Sequence, residues 1–247
     1  MKYNYQIIIE YLGASYIGWQ IQKKGKSIQG EIQKAIYKTF HTKVKLIGAG
    51  RTDTGVNALA QSANFYLKNK IQNKNKILAT MNFFLKESNI SIIDIKRKKN
   101  SFHSRFDAKK RSYEYIIINR GAKLSVLKDR AWLVKKKLNI KNMKDAISLL
   151  IGKHDFSTFR SSSCSAKSPI RTILKANIKN TGSKIIINFI SRSFLQQQVR
   201  SMVGSIKYVG ENKWDLSTFK KVFKSKKRNF CAPPAPPEGL YLKKVYY

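Results

Sequence analysis

Polar and apolar positions recur along this chain with two periods, one typical of strands and the other of helices. Behind Ser27, which can cap a helix, apolar residues recur every three or four positions up to Phe40. Further helices are predicted over 76–85, 140–151 and 195–209, and from Asp215 onward. Strands are predicted at 4–11, 42–47, 61–67, 90–96, 111–119 and 240–247.

The segment 170–190 has the pattern of a β-hairpin, with Asn-Thr-Gly-Ser as its turn. Each half of the chain therefore mixes several strands with about two helices. This predicts the α+β class, with an N-terminal half at 1–105, a C-terminal half at 106–247 and a sheet that the two share. The proline-rich segment 231–239 is interpreted as a stiff loop that lays the last strand against the body.

The composition is that of a folded protein. The 247 residues are 42% hydrophobic and 11% aromatic, which is enough for a well-buried core. Apolar runs such as Ile116–Ile118 are too short to span a bilayer, and the N-terminus has no signal-peptide pattern. We therefore expect a soluble, cytoplasmic protein.

The charge is strongly one-sided, since 50 Lys and Arg against 13 Asp and Glu give a formal net charge of +37. Such a field attracts polyanions, so a nucleic acid is the expected partner. Abundant Lys, Asn and Ile also fit an A+T-rich coding bias, which accounts for part of the excess. The remainder still favours RNA or DNA.

The cysteines and histidines do not form a metal-binding pattern. Cys164 and Cys231 lie far apart, and the three histidines are scattered, so neither a closed zinc site nor a disulfide framework is predicted. Four serines surround Cys164, but no histidine has a suggestive spacing to them. A flexible, RNA-facing loop is preferred there over a nucleophilic site.

One glycine-rich segment, GAGRTDTGV at 48–56, places an acid in a polar loop of a chain that has few acids. Its glycines let the backbone turn sharply and approach a ligand closely. The spacing differs from that of a P-loop, and no Lys-Ser or Lys-Thr pair follows the glycines. By residue type alone, Asp53 can either stabilise a turn or carry chemistry, and Arg51 can be a solvated charge.

Seven segments together resemble the bacterial tRNA pseudouridine synthase A family, in that family's order. GRTDTGV within the glycine-rich loop resembles the family signature Gly-Arg-Thr-Asp-x-Gly-Val. The other six are EYLGASYIGWQIQ (10–22), FHSRFDAKKRSYEYIIIN (102–119), DFSTFR (155–160), SPIRTI (168–173), FLQQQVRSMVGSIKYVG (194–210) and APPAPPEGLYLKKVYY (232–247). Because these segments extend over nearly the whole chain, the resemblance is specific.

The resemblance implies isomerisation of uridine to pseudouridine at positions 38, 39 and 40 in the anticodon stem and loop of tRNAs. The glycosidic bond of a flipped-out uridine is broken, the base turns and C5 is joined to C1′, which needs neither a redox cofactor nor an essential metal. Asp53 is implied as the catalytic carboxylate, either as nucleophile at C1′ or as base at C2′. Arg200 is implied as its ion-pair partner, since a desolvated carboxylate needs a positive charge.

The same resemblance assigns three residues to RNA binding. Tyr113 is expected to stack on the flipped base, whereas Tyr115, on the same face of the strand, is expected to lie in the core. Arg51 matches a tRNA-contacting arginine, and Leu240 matches a residue that packs against the base from below. From residue type alone, Tyr113 and Leu240 could equally be core side chains, and Arg200 a solvated helix charge.

A fold and an assembly are also implied by the resemblance. The expected fold has two α+β halves around a continuous, largely antiparallel sheet with a central RNA-binding cleft, and the expected assembly is a homodimer that binds tRNA across both subunits. The chain departs from the family pattern at Asn57, where histidine is usual, and at Gln196 and Gln197, where basic residues or histidine are usual. These departures lower the expected affinity for the RNA that flanks the target uridine, but they do not involve Asp53.

Two other classes of protein remain open from the residues themselves. A non-catalytic, basic RNA-binding protein would use the charge alone, with Asp53 as a structural residue. A glycosidase or nuclease would use the same carboxylate, but the second acid and the metal ligands of such enzymes are missing from the pattern.

Overall fold

The computed structural model describes residues 2–247, and within them the chain forms two compact units. One unit extends up to Lys109 and includes Leu242–Tyr247, and the other is Lys110–Tyr241. The α+β class and the largely antiparallel strand pairing are confirmed. The domains expected at 1–105 and 106–247 stay a prediction, because contacts define compact units and not the parts of a chain that fold alone.

Ten strands and five α-helices are found in residues 2–247. The strands are β1 (Tyr3–Tyr11), β2 (Ile47–Gly48), β3 (Asn57–Leu67), β4 (Ile90–Lys98), β5 (Lys110–Asn119), β6 (Trp132–Val134), β7 (Gly152–Asp155), β8 (Ile170–Thr181), β9 (Lys184–Ser191) and β10 (Leu240–Tyr246). The helices are α1 (Ile28–Phe40), α2 (Lys74–Phe84), α3 (Ile140–Ser148), α4 (Gln198–Gly210) and α5 (Leu216–Lys224). None of these helices is long and apolar enough to cross a membrane.

The first unit is an antiparallel sheet on which helices pack. Its strand order is β4-β1-β3-β10, with β2 beside β3. Ile7 and Ile9 of β1 are fully buried, as are Ile28 and Ile32 on the inner face of α1. Burying each such side chain contributes roughly 1.5–3 kcal/mol, so this face stabilises the sheet that holds the glycine-rich loop.

The second unit pairs its strands in the order β5-β9-β8-β7, and the short β6 runs parallel to β5. The predicted hairpin is confirmed, because β8 and β9 pair up to Thr181 and Lys184, and Gly182 at the turn has a positive φ of 58°. A cluster of phenylalanine rings joins α5 to the segment after β7; its members are Phe156, Phe159, Phe219 and Phe223.

One predicted strand was wrong over most of its length. The alternating stretch 42–47 forms a strand only from Ile47. The amide groups of Gln33 and Gln29 in α1 donate to the carbonyl oxygens of Val44 (2.7 Å) and Leu46 (2.9 Å). Side chains therefore satisfy backbone groups that a neighbouring strand would otherwise have to satisfy, and the alternation reflects packing beneath the helix.

Candidate active site

The glycine-rich loop links two neighbouring antiparallel strands of the first unit. β2 pairs with β3 through Ile47 opposite Asn64 and Gly48 opposite Ala63, and residues 49–56, called here the Asp53 loop, connect the two strands. Both ends of the loop are therefore fixed by one ladder. Asp53 is half-buried within it.

Thr52 anchors the loop directly beside Asp53. Its carbonyl oxygen accepts a hydrogen bond from the Trp19 amide (3.1 Å), and its hydroxyl lies 2.8 Å from the Tyr11 hydroxyl. Just after it, the Val56 amide donates to the Asp53 carbonyl (3.1 Å) and closes a tight turn. The main chain on both sides of Asp53 is thus held by hydrogen bonds, which limits the positions that the carboxylate can reach.

A second anchor is provided by Gly13, which sequence reasoning did not single out. A Cβ atom at this position would lie 2.3 Å from the Val56 carbonyl oxygen, so only glycine fits without a shift of backbone. The Gly13 amide also donates to Oδ1 of the fully buried Asn57 (2.7 Å). The glycine in the EYLGAS segment was the available signal, although its contact partner lies more than forty residues away.

Asn57, at which the chain departs from the family pattern, makes a structural contact. Its side chain ties the segment after β1 to the start of β3, directly behind the Asp53 loop. In this chain Asn57 therefore has a structural role in supporting the loop.

Arg200 lies in the first turn of α4, in the second unit, and is fixed by the proline-rich segment. Its Nε donates to the Ala235 carbonyl oxygen (2.7 Å), and the Ala235 amide donates back to the Arg200 carbonyl oxygen (2.9 Å). A Cβ atom at Gly204, one turn later, would lie 2.1 Å from the Pro233 carbonyl oxygen. The proline-rich segment therefore packs directly on α4 and positions the Arg200 side chain.

The two tyrosines of β5 have different surroundings. Tyr113 is half-buried, and its ring lies edge-on to Phe194 with centroids 5.1 Å apart. Tyr115 is completely buried and donates its hydroxyl to the Pro236 carbonyl oxygen (2.7 Å), which confirms it as a core residue. Burial, together with the charge of Glu238, holds the pKa of Tyr115 well above its usual range, so this phenol stays neutral.

The serine-rich segment is tied to the residues that precede α4. The Ser161 amide donates to the Gln196 carbonyl oxygen (3.0 Å), and the Ser161 and Ser163 hydroxyls lie 3.0 Å apart. Gln197, directly before α4, has a positive φ of 59° and is therefore not helical. The helix begins at Gln198, three residues later than the apolar spacing of the sequence predicts. Gln196 thus holds a neighbouring loop, and Gln197 forms the entry to the helix that carries Arg200.

The remaining candidate residues lie in contrasting environments. Arg51 is exposed on the Asp53 loop, whereas Leu240 is buried at the start of β10. Asp53 and Arg51 belong to the first unit, and Arg200, Tyr113 and Leu240 to the second. Among the residues described, no group of three or more His, Cys, Asp or Glu side chains could hold a metal ion.

Comparison with known proteins identifies the family. A family model described as tRNA pseudouridine synthase matches residues 7–107 and 146–247. The chain belongs to the tRNA pseudouridine synthase family. It is 56% identical over 245 residues to "tRNA pseudouridine synthase A" of Pelagibacter ubique (strain HTCC1062), covering 99% of this chain and 100% of that protein. Proteins of the same name from Rhodopseudomonas palustris (strain BisA53) and Parvibaculum lavamentivorans are 42% and 40% identical over 244 residues, with 99% of both chains covered in each case.

Membership of the tRNA pseudouridine synthase family confirms the recognition made from the seven motifs, and with it the isomerase class. It does not favour the non-catalytic RNA-binding alternative. The matched ranges include the Asp53 loop, Arg200 and Leu240, whereas Tyr113 lies between them.

Proposed function

We propose that this protein converts uridine to pseudouridine at positions 38, 39 and 40 in the anticodon stem and loop of tRNAs, with Asp53 as the nucleophile. The observation that carries the proposal is the Asp53 loop, in which Asp53 is half-buried and its main chain is held on both sides by hydrogen bonds. The full-length similarity to tRNA pseudouridine synthases supports the same reaction.

The reaction is an isomerisation within one nucleotide. The bond from N1 of the base to C1′ of the ribose breaks, the base turns in place, and a new bond joins C5 to C1′. C5 then loses its proton and N1 carries one instead, so atoms and electrons balance without an oxidant or reductant. A carboxylate can assist by attacking C1′ or by taking a proton from C2′, and attack at C1′ is the step proposed here.

Arg200 is the proposed ion-pair partner of Asp53. A carboxylate that must react away from water needs a positive charge to remain ionised. A guanidinium suits this role because it stays protonated and presents several N–H groups in one plane. Its Nε donates to the Ala235 carbonyl oxygen, which fixes the direction of the guanidinium.

Three residues are proposed to hold the nucleotide. The target uridine must leave its stack, and an aromatic ring stabilises a free base by about 1–3 kcal/mol. We assign that ring to Tyr113 and the opposite side of the base to Leu240. Arg51, exposed beside Asp53, is assigned to a phosphate of the tRNA backbone.

The proposal includes the assembly and the location. The partner is the anticodon stem-loop of tRNA, and the net charge of +37 provides long-range attraction to it. We propose a homodimer that works in the cytoplasm, where tRNAs are modified.

The test is the Asp53→Asn variant, which keeps the size of the side chain but cannot act as nucleophile or base. Release of tritium from C5-labelled uridine in tRNA should fall below detection. Affinity for tRNA, measured by filter binding on the same preparation, should stay within a few-fold, because removing a negative charge does not weaken binding of a polyanion.

Asp145→Asn is the matched control, since it removes the same charge from an exposed position of α3. It should keep full turnover. Turnover by Asp53→Asn would contradict the mechanism. Wild-type protein that binds tRNA but never releases tritium would instead support a non-catalytic RNA-binding protein.

A further inference from the structure

Phe106 is an exposed aromatic side chain in a loop of the first unit. Three quarters of its surface is accessible (75%), the largest exposed fraction of any described phenylalanine. Its ring stacks on that of His103, with centroids 4.3 Å apart and planes at 30°. Since so much of Phe106 stays exposed, this stack leaves most of the ring open to a further partner.

The loop around Phe106 (residues 102–107, called here the Phe106 loop) is held by its own hydrogen bonds. Nδ1 of His103 accepts from the amides of Arg105 (3.1 Å) and Phe106 (3.3 Å). The Asp107 carboxylate accepts from the His103 amide (3.0 Å), and the Asp107 amide donates to the His103 carbonyl oxygen (3.0 Å). The exposed ring is therefore presented in a defined place, at little cost in conformational entropy when it binds.

The Phe106 loop and the Asp53 loop are attached to the same strand. The Ser104 amide donates to Oδ1 of Asn64 in β3 (2.9 Å), and Asn64 pairs with β2. Two residues earlier in β3, the Ser62 carbonyl oxygen accepts from the Ala49 amide at the start of the Asp53 loop (2.7 Å). The Tyr247 hydroxyl lies within 2.9 Å of both Ser62 Oγ and the Ser104 carbonyl oxygen. The two loops are thereby fixed relative to each other, and so are the parts of an RNA that bind to them.

The charge around the loop selects an anionic partner. Residues 96–109 contain six Lys or Arg and a single acid, Asp107, whose carboxylate already accepts from His103. The guanidinium of Arg105 lies 5.7 Å from the centre of the Phe106 ring. The same loop of a second copy would bring the same positive charge and be repelled at this position, whereas RNA combines negative phosphates with flat bases.

We propose that Phe106 is an RNA-stacking residue, which receives an unpaired base of the tRNA while the Asp53 loop engages the target uridine. The base is unpaired because bases inside a helix are stacked on one another and do not present a free face. This inference depends on tRNA being the substrate, as proposed above, and adds a second stacking contact outside the reacting nucleotide.

The experiment compares Phe106→Ala, Phe106→Leu and Phe106→Trp. The affinity for tRNA is measured by filter binding, and the rate constant at saturating enzyme is measured by single-turnover tritium release. One stacking contact corresponds to a loss of about 5- to 150-fold in affinity for the Ala variant. The Leu variant should lose nearly as much, because it is apolar but has no aromatic face. The Trp variant should bind within about threefold of wild type. In all three, the rate at saturating enzyme should change less than the affinity.

Phe83→Ala is the matched control, since Phe83 is 61% exposed on α2 of the same unit. It should leave tRNA affinity unchanged, and thermal unfolding should show that all variants are folded. Unchanged affinity in Phe106→Ala, or a Leu variant that binds as well as wild type, would overturn the proposal. So would a wild-type dimer that becomes monomeric in Phe106→Ala, because the ring would then belong to a subunit contact. Affinity is measured without turnover, so a wild-type protein that is inactive would contradict the proposed function but would still allow this test.

Discussion

The surroundings of Asp53 and Arg200 differ in what holds each residue in place. In the first unit, Asp53 is positioned by its main chain, through hydrogen bonds of Thr52 and Val56 and through the close approach of Gly13. In the second unit, Arg200 is positioned by its own side chain, which donates to the Ala235 carbonyl oxygen. A short carboxylate has few rotatable bonds, so a fixed backbone is sufficient to aim it. A long guanidinium side chain needs a hydrogen bond near its end to lose the same freedom.

Among the contacts that position Asp53 and Arg200, the largest effect is expected from the side-chain contact of the second unit. Arg200→Ala should lower single-turnover tritium release by about 10²–10³-fold, the usual cost of losing a group that stabilises charge in an active site. Arg200→Lys should also be impaired. Lysine has a single nitrogen at its end, which cannot both donate to the Ala235 carbonyl oxygen and direct the positive charge to the Asp53 carboxylate as a guanidinium can. Lys220→Ala removes one exposed positive charge and serves as the control. Full activity of Arg200→Lys would mean that the contact with Ala235 is dispensable.

The backbone contact of the first unit is tested by Gly13→Ala. The new Cβ would lie 2.3 Å from the Val56 carbonyl oxygen, and overpacking of this kind costs about 1–3 kcal/mol of the free energy of unfolding. Turnover should fall with it, since Val56 closes the turn at Asp53. Gly50→Ala, in the same loop but with nothing within 4 Å of its Cβ, should have little effect on stability. Urea unfolding measures the free energy of unfolding of both variants. Equal stabilities of Gly13→Ala and Gly50→Ala would contradict the assigned role of Gly13.

A smaller effect is expected from Gly204→Ala. Its Cβ would lie 2.1 Å from the Pro233 carbonyl oxygen, but alanine is favoured over glycine inside a helix by about 1 kcal/mol. The two effects oppose each other, so the free energy of unfolding should fall by less than in Gly13→Ala. The rate of tritium release should still drop, because the displaced segment carries Ala235, the partner of Arg200. A variant that is destabilised but turns over normally would separate the packing of this segment from catalysis.

The smallest effect is expected at Asp94, a carboxylate that lysine side chains hold. Burial alone would raise the pKa of Asp94, but hydrogen bonds and charges from Lys74 and Lys96 outweigh it and lower the pKa. A folded-state pKa below the unfolded value of about 3.9 stabilises the protein above that pH, and the stabilisation is lost as the pH falls through the folded pKa. Because these groups are partly exposed to solvent, Asp94→Asn should cost no more than about 1 kcal/mol.

Urea unfolding at pH 7 and at pH 3 checks the expectation for Asp94. The variant should be less stable than wild type at pH 7, and the difference should shrink at pH 3. A difference that grows as the pH falls would contradict the assigned ion pairs. Asp145→Asn is again the control.

Several features of this chain could be read from the order of its residues. Ser27 caps α1 through its hydroxyl, which accepts from the Gly30 amide (3.2 Å), and Asp215 caps α5 in the same way (2.7 Å). The hairpin turn at Gly182 was equally clear. These features depend on hydrogen bonds between residues close in sequence, so the local pattern of residue types contains the information. The family, too, was recognisable because its motifs are short and contiguous.

Only tertiary structure could decide the features that depend on distant partners. The carbonyl groups of Val44 and Leu46 are bonded by glutamines of α1, which prevents a regular strand there. Gly13 approaches Val56, and Arg200 meets Ala235, across dozens of residues that have no periodic relation to them. The exposure of Phe106 was equally hidden, because phenylalanine is ordinarily buried and its sequence neighbours do not show which part of the fold covers it. Whether a side chain packs, binds or faces solvent depends on the elements that the fold brings to it, and the neighbouring residues in the sequence do not specify those elements.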